Sequence, residues 1–107
     1  MSKINLKKMI ASADKACVLM KVLSNRDRMM ILCEISQGEY CVSELERKLE
    51  ILQPTLSQQL TVLRNEKLVK TRRVGKQIYY SVASSEAMAV MEVLYEQFCK
   101  KPKKLVL

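Results

Sequence analysis

Four cysteines, Cys17, Cys33, Cys41 and Cys99, are the only nucleophiles in this chain of 107 residues with obvious redox chemistry, and there is no histidine. A thiolate attacks persulfides, polysulfides and oxidants, and a second thiol nearby resolves the adduct. The spacing excludes other uses. No CxxC pair exists, so zinc-ribbon and thioredoxin-type motifs are absent. Without histidine there is no ordinary general base, and no Gly-rich phosphate loop is found, so no catalytic residues are assigned and no cofactor is expected. Closed metal sites want three or four ligands, and none is assigned. Cys17 reads as a helix-packing residue, and no chemical role is assigned to Cys41.

A second chemistry is carried by Gln53-Pro54-Thr55-Leu56-Ser57-Gln58-Gln59-Leu60-Thr61-Val62-Leu63-Arg64. Leu56, Leu60 and Leu63 make a narrow apolar stripe at helical spacing. Pro54 is expected as the first helical residue. The remaining positions are amides and hydroxyls, where a solvated helix would carry Lys and Glu. Gln bonds adenine through two contacts, and Ser and Thr reach most base edges. Gln53, Thr55, Ser57, Gln58, Gln59 and Thr61 are therefore candidates to read or align a DNA major groove.

The next stretch, residues 67–82, has strand-like patterning around a hairpin tip at Val74-Gly75. From Arg64 to Lys76 it carries six basic residues, Arg64, Lys67, Lys70, Arg72, Arg73 and Lys76, against one acid, Glu66. Arg64, Arg72, Arg73 and Lys76 are the candidate phosphate contacts. The net charge of +8, from 19 basic and 11 acidic residues, suits a polyanionic partner.

The elements that must position these groups follow from periodicity. Residues 5–23 form a helix with a wide apolar stripe, suited to packing on another helix, across a dimer for instance. A second helix, capped by Ser24 or Asn25, runs to about Ser36 and stops at Gly38; its apolar circumference marks it as central and mostly buried. Glu39–Val42 is an extended link. Ser43 opens the next helix, with Glu46 completing a capping box. Ser84 or Ser85 caps a last helix that is apolar on more than one side and needs a cover beyond its own domain. The fold class is thus mostly α with a small β-hairpin: one winged helix-turn-helix domain over 1–107, with N- and C-terminal dimerisation helices. The helix-turn-helix spans about 43–66, the wing about 68–82, the last helix about 84–100, and a disordered basic tail 101–107. No run is long enough to span a membrane and no signal-peptide core is present, so a cytoplasmic location is expected.

The chain resembles the ArsR family of bacterial transcriptional repressors along nearly its whole length. The resemblance is carried by Val22-Leu23-Ser24-Asn25 with Arg28, Ile31-Leu32-Cys33, Ser43-Glu44-Leu45, Gln53 to Leu60, Val62-Leu63-Arg64, Leu68-Val69, Arg72-Arg73, Gln77-Ile78 and Tyr80. It implies a homodimer that binds a palindromic double-stranded operator and lets go when a signal arrives. Many members sense metals through two cysteines flanking a valine. Here Glu39-Tyr40-Cys41-Val42-Ser43 keeps the first and has serine for the second. The family's other metal site uses histidines, which this chain lacks.

Within the family the chain is most similar to the BigR and SqrR group and the related HlyU regulators. Their two sensing cysteines match Cys33, after Ile31-Leu32, and Cys99, after Phe98. That resemblance implies that the two thiols lie close together within one subunit. It further implies that reactive sulfur species link them directly or through added sulfur, and that sulfide-detoxification genes are then expressed. A thiol regulator of peroxide response, virulence or biofilm genes, and a degenerate metal sensor, are the alternatives.

Overall fold

Residues 3–100 are described by the computed structural model of the chain. The expected basic tail at 101–107 lies outside them. The order is α1 (Leu6–Leu23), α2 (Arg26–Ile35), β1 (Tyr40–Cys41), α3 (Val42–Leu49), α4 (Thr55–Asn65), β2 (Val69–Val74), β3 (Gln77–Val82) and α5 (Ser85–Tyr95), which runs on into a wider π-helical turn, Glu96–Lys100. This is a winged helix-turn-helix, with α3 and α4 as the paired helices and β2–β3 as the wing.

Three helices start where the side chain of the cap residue accepts an open amide of the first turn. Asn5 accepts from Lys8 N–H, Asn25 from Arg28 N–H and Ser84 from Ala87 N–H. The expected box at Ser43 and Glu46 is not used. Cys41 is the cap of α3, and the Glu44 carboxylate accepts the Cys41 N–H at 2.9 Å. The helix therefore begins with Val42, and Ser43 lies inside it. The pairing of Cys41 with Tyr79 fixes that earlier start, because it ends the strand at the residue that must cap the helix.

Pro54 also moves by one position: it is the cap of α4, not its first residue. Gln53 stays outside the helix and caps it from there. Its Oε1 accepts from Ser57 N–H at 3.0 Å and from Ser57 Oγ at 2.9 Å.

The core is a single cluster in which Ile31, Leu32 and Ile35 of α2 meet Leu45 of α3 and Leu56, Leu60 and Leu63 of α4, all fully buried. The leucine stripe of α4 thus faces inward as its spacing predicts. By contrast α2 is central but not buried round its circumference. Met30 and Cys33 are exposed on the side turned toward α5, because the ten-residue helix has core partners on only one face.

The sheet has three strands in the order β1–β3–β2, not the two of a simple hairpin. The short link at Tyr40–Cys41 pairs with Tyr80 and Tyr79. The wing tip is the two-residue turn Gly75-Lys76, closed by the Val74–Gln77 pair, one residue later than expected. Gly75 has φ +62, a left-handed value that a hairpin turn of this length requires and glycine supplies without strain.

Two helices keep apolar surface outside the core. On α1 only Val22 and Leu23 are buried, while Leu6, Met9, Ile10, Val18 and Met20 are exposed. On α5 and its extension Val93, Tyr95 and Phe98 are exposed. Among the described residues no helix is long and apolar enough to cross a membrane.

Candidate DNA interface and thiol groove

The inward leucine stripe decides which α4 side chains face out. Ser57, Gln58, Thr61 and Arg64 share the exposed side, with Thr55 half-exposed at the N-terminal end. Thr61 Oγ1 donates back to the Ser57 carbonyl at 2.9 Å. The outward face is short, polar and almost uncharged, and so fits base edges better than bulk water.

Two of the amides expected on that face are engaged elsewhere. Gln53 caps the helix, as above. Gln59 sits half-buried on the flank of α4, and its Oε1 accepts from Arg28 Nη1 at 2.8 Å. Adenine recognition by Gln uses both amide atoms, and the oxygen of Gln59 is taken.

On the wing, Arg72, Arg73 and Lys76 are exposed beyond the body of the sheet. Arg73 Nε donates to the Gly75 carbonyl at 3.2 Å, which folds it toward the tip. Arg72 is held by Glu39: Nη2 to Oε1 is 2.7 Å, and Nε lies 3.2 and 3.1 Å from Oε1 and Oε2. Its guanidinium also stands 5.8 Å from the centre of the Tyr79 ring. Hydrogen bonds from Arg72 hold the Glu39 carboxyl below the usual 4.5; they outweigh the opposing desolvation, and the charges of Arg72 and Lys70 add to the lowering. The same contact raises Arg72 above its ordinary value.

The thiols separate into two groups. Cys41 is buried at the cap of α3, with its Sγ 3.3 Å from Ser43 Oγ. Cys17 is exposed on the free side of α1. Cys33 and Cys99, 66 positions apart by their numbering, line the same groove of about 1160 Å³ between α2 and the α5 extension. Both are exposed. The groove is otherwise mostly apolar, with Met29, Met30, Met88 and Met91 on its walls. Lys100, beside Cys99, is drawn to Glu96 at 3.4 Å. Among the described residues no three His, Cys, Asp or Glu side chains are grouped as metal ligands.

Sequence reasoning did not assign roles to Arg28 and Glu39. Their partners lie 31 and 33 residues away, beyond any local pattern.

Comparison with known proteins agrees with this architecture. Residues 25–71 match the arsR family of bacterial regulatory proteins. A biofilm growth-associated repressor of Agrobacterium fabrum is 48% identical over 96 residues, covering 90% of this chain and 82% of that protein. The transcriptional activator HlyU of Vibrio cholerae is 38% identical over 97 residues, 91% of this chain and 90% of that one. The crystal structure of the transcriptional repressor BigR from Xylella fastidiosa superimposes with a TM-score of 0.87 at 41% identity, covering 92% of this chain and all of that one (100%). The chain therefore belongs to the ArsR family of bacterial regulatory proteins, and it is a winged-helix transcriptional regulator rather than an enzyme.

Proposed function

We propose that this regulator is a cytoplasmic homodimer that holds a palindromic operator in the reduced state and releases it when reactive sulfur species join Cys33 to Cys99. The observation that carries this reading is the shared groove: two exposed thiols, remote in sequence, line one cleft between α2 and the end of α5. The regulated genes would be those of sulfide detoxification, by resemblance to the persulfide-sensing group.

The chemistry balances with the persulfide as oxidant. One thiolate attacks the outer sulfur of RSSH, forming Cys–S–SH and releasing RSH. The second thiolate attacks the protein-bound inner sulfur, closing a disulfide and expelling hydrosulfide. A further sulfur transfer before closure leaves an extra sulfur atom in the link. Either product ties α2 to the end of α5 at a new distance. In a symmetric dimer such a shift alters the separation of the two α4 helices, which must match about one turn of DNA.

In this dimer Thr55, Ser57, Gln58 and Thr61 meet the major groove. Arg64, Arg73, Lys76 and, once freed from Glu39, Arg72 meet phosphates. The exposed apolar residues of α1 and α5 form the contact between subunits.

The test is operator release by a persulfide donor. Cys33→Ser and Cys99→Ser should bind DNA as the parent does and stay bound after treatment. A single variant that is still released would overturn the two-thiol switch. The name of one relative, a biofilm growth-associated repressor, favours a second target class, biofilm genes, and peroxide is the alternative signal for the same thiols. Intact-mass measurement separates the two signals where the link retains sulfur. Peroxide removes only two hydrogens, as direct disulfide closure does, whereas a further sulfur transfer before closure also adds sulfur mass.

A further inference from the structure

Arg28 stands in the first turn of α2 and its side chain bonds to two other helices at once. Its Nε donates to the Val22 carbonyl at 2.7 Å and its Nη2 to the Lys21 carbonyl at 3.4 Å. Both carbonyls belong to the last turn of α1, where a cation meets the negative end of the helix dipole; the Lys21 carbonyl also accepts the Ser24 N–H at 3.2 Å. The third contact is Nη1 to Gln59 Oε1 at 2.8 Å, on the flank of α4. The guanidinium holds its five donors in one rigid plane, so fixing two of these contacts fixes the direction of the third. Lysine, with one donor head on a flexible stem, cannot hold that geometry.

We propose that Arg28 positions the reading helix, with Gln59 acting as a strut between α4 and the end of α1 and not as a base contact. The inference rests on α4 being the helix that enters DNA. The link joins the helix with the largest uncovered apolar face to the helix with the polar outward face. The angle of α4 relative to α1 is thereby set by one side-chain fork, and so is the separation of the two α4 helices in a dimer formed through α1. A misaligned α4 loses all its base contacts together, while phosphate attraction that needs no alignment is kept.

The experiment measures operator and random-duplex affinity for Arg28→Lys, Gln59→Ala and the double variant, with thermal unfolding of each. Each single variant should lose about tenfold in operator affinity, the scale of one hydrogen bond to a charged group. Random-duplex affinity should change less than about twofold, since Arg28→Lys keeps the charge and Gln59 carries none. The double variant should lose no more than either single one, because both cut the same strut. A scan of single base-pair changes in the operator should show Gln59→Ala weakening every position alike. Loss confined to one base pair would make Gln59 a reader and overturn the proposal, as would additive losses in the double variant. Should Arg28→Lys prove unfolded, the base-pair scan on Gln59→Ala decides alone. Thr55→Ala and Ser57→Ala serve as controls. If they leave operator binding unchanged, the reading of α4 fails; if they weaken it while Arg28→Lys and Gln59→Ala do not, only the strut fails.

Discussion

Arg72 of the wing and Glu39 before β1 meet in a two-toothed contact, with the shortest distance 2.7 Å, across the strand that lies between them. The wing's best-placed arginine thus already holds an anion. A phosphate must displace the carboxylate to use it. Replacing Glu39 by Gln removes the competing charge and keeps the shape. Glu39→Gln should raise affinity for any duplex and steepen the salt dependence by about one unit of slope. The extra slope should vanish in the double variant with Arg72→Ala. Fluorescence anisotropy at several salt concentrations reads both. An unchanged slope in Glu39→Gln would mean that Arg72 only braces the sheet.

The same contact sets an acid-sensitive element. Arg72 lowers Glu39, chiefly by hydrogen bonding, and the Cys41 backbone N–H lowers Glu44 in the same way at the start of α3. A carboxyl lowered on folding stabilises the fold fully above its unfolded value, near 4.5. That contribution fades as pH falls through the lower folded value. Both groups should titrate below 4.5 in carboxyl NMR of the folded protein. In Arg72→Gln, Glu39 should return toward its ordinary value while Glu44 stays low, because the two have separate partners. Joint movement would show that the wing and the start of α3 titrate as one unit.

What was legible in the sequence follows from the range of each interaction. The stripe Leu56, Leu60, Leu63 declares its buried face through helical spacing alone, and all three are buried; on α2, apolar on most sides, spacing does not separate the buried Ile31, Leu32 and Ile35 from the exposed Met30 and Cys33. The wing shows because two alternating runs flank a glycine. β1 does not show, since two residues have no period. The start of α3 was missed because Ser43 and Glu46 form a familiar signal, while the actual cap, Cys41, lies outside the usual capping residues. Of the polar positions on α4, spacing separates the outward Ser57, Gln58 and Thr61 from the leucines. It does not reveal that Gln53 turns back to Ser57 or that Gln59 is taken by Arg28, because these depend on the chain's course outside the helix. The thiol groove was reached by resemblance and not by spacing: nothing local ties Cys33 to Cys99.

Glu50 ends α3 with φ 57 and ψ 34, a left-handed conformation that a side chain disfavours and glycine does not. Its backbone N–H still donates to the Glu46 carbonyl, so the turn is fully formed. Relief of roughly 1–2 kcal/mol of left-handed strain, offset by about 0.5–1 kcal/mol of added chain entropy, means that Glu50→Gly should stabilise the fold by roughly 0.5–1 kcal/mol. Urea unfolding would show a higher midpoint at unchanged slope. A lower midpoint would mean that the Glu50 side chain contributes more than its backbone costs.

Ile10 tests what covers α1. It is 67% exposed in the single chain, amid Leu6, Met9 and other uncovered apolar side chains. Ile10→Glu removes no buried contact within the subunit, so helix content and the packing of α2 with α4 should be unchanged. Across a subunit interface the same carboxylate would be stripped of water without a partner, at a cost of several kcal/mol. Sedimentation should then show a monomer at concentrations where the parent is a dimer. Operator affinity should fall toward that for random duplex, because one α4 helix reads only half a palindrome. A dimer that survives Ile10→Glu with its operator affinity intact would place the subunit contact elsewhere and leave the exposed face of α1 for a different partner.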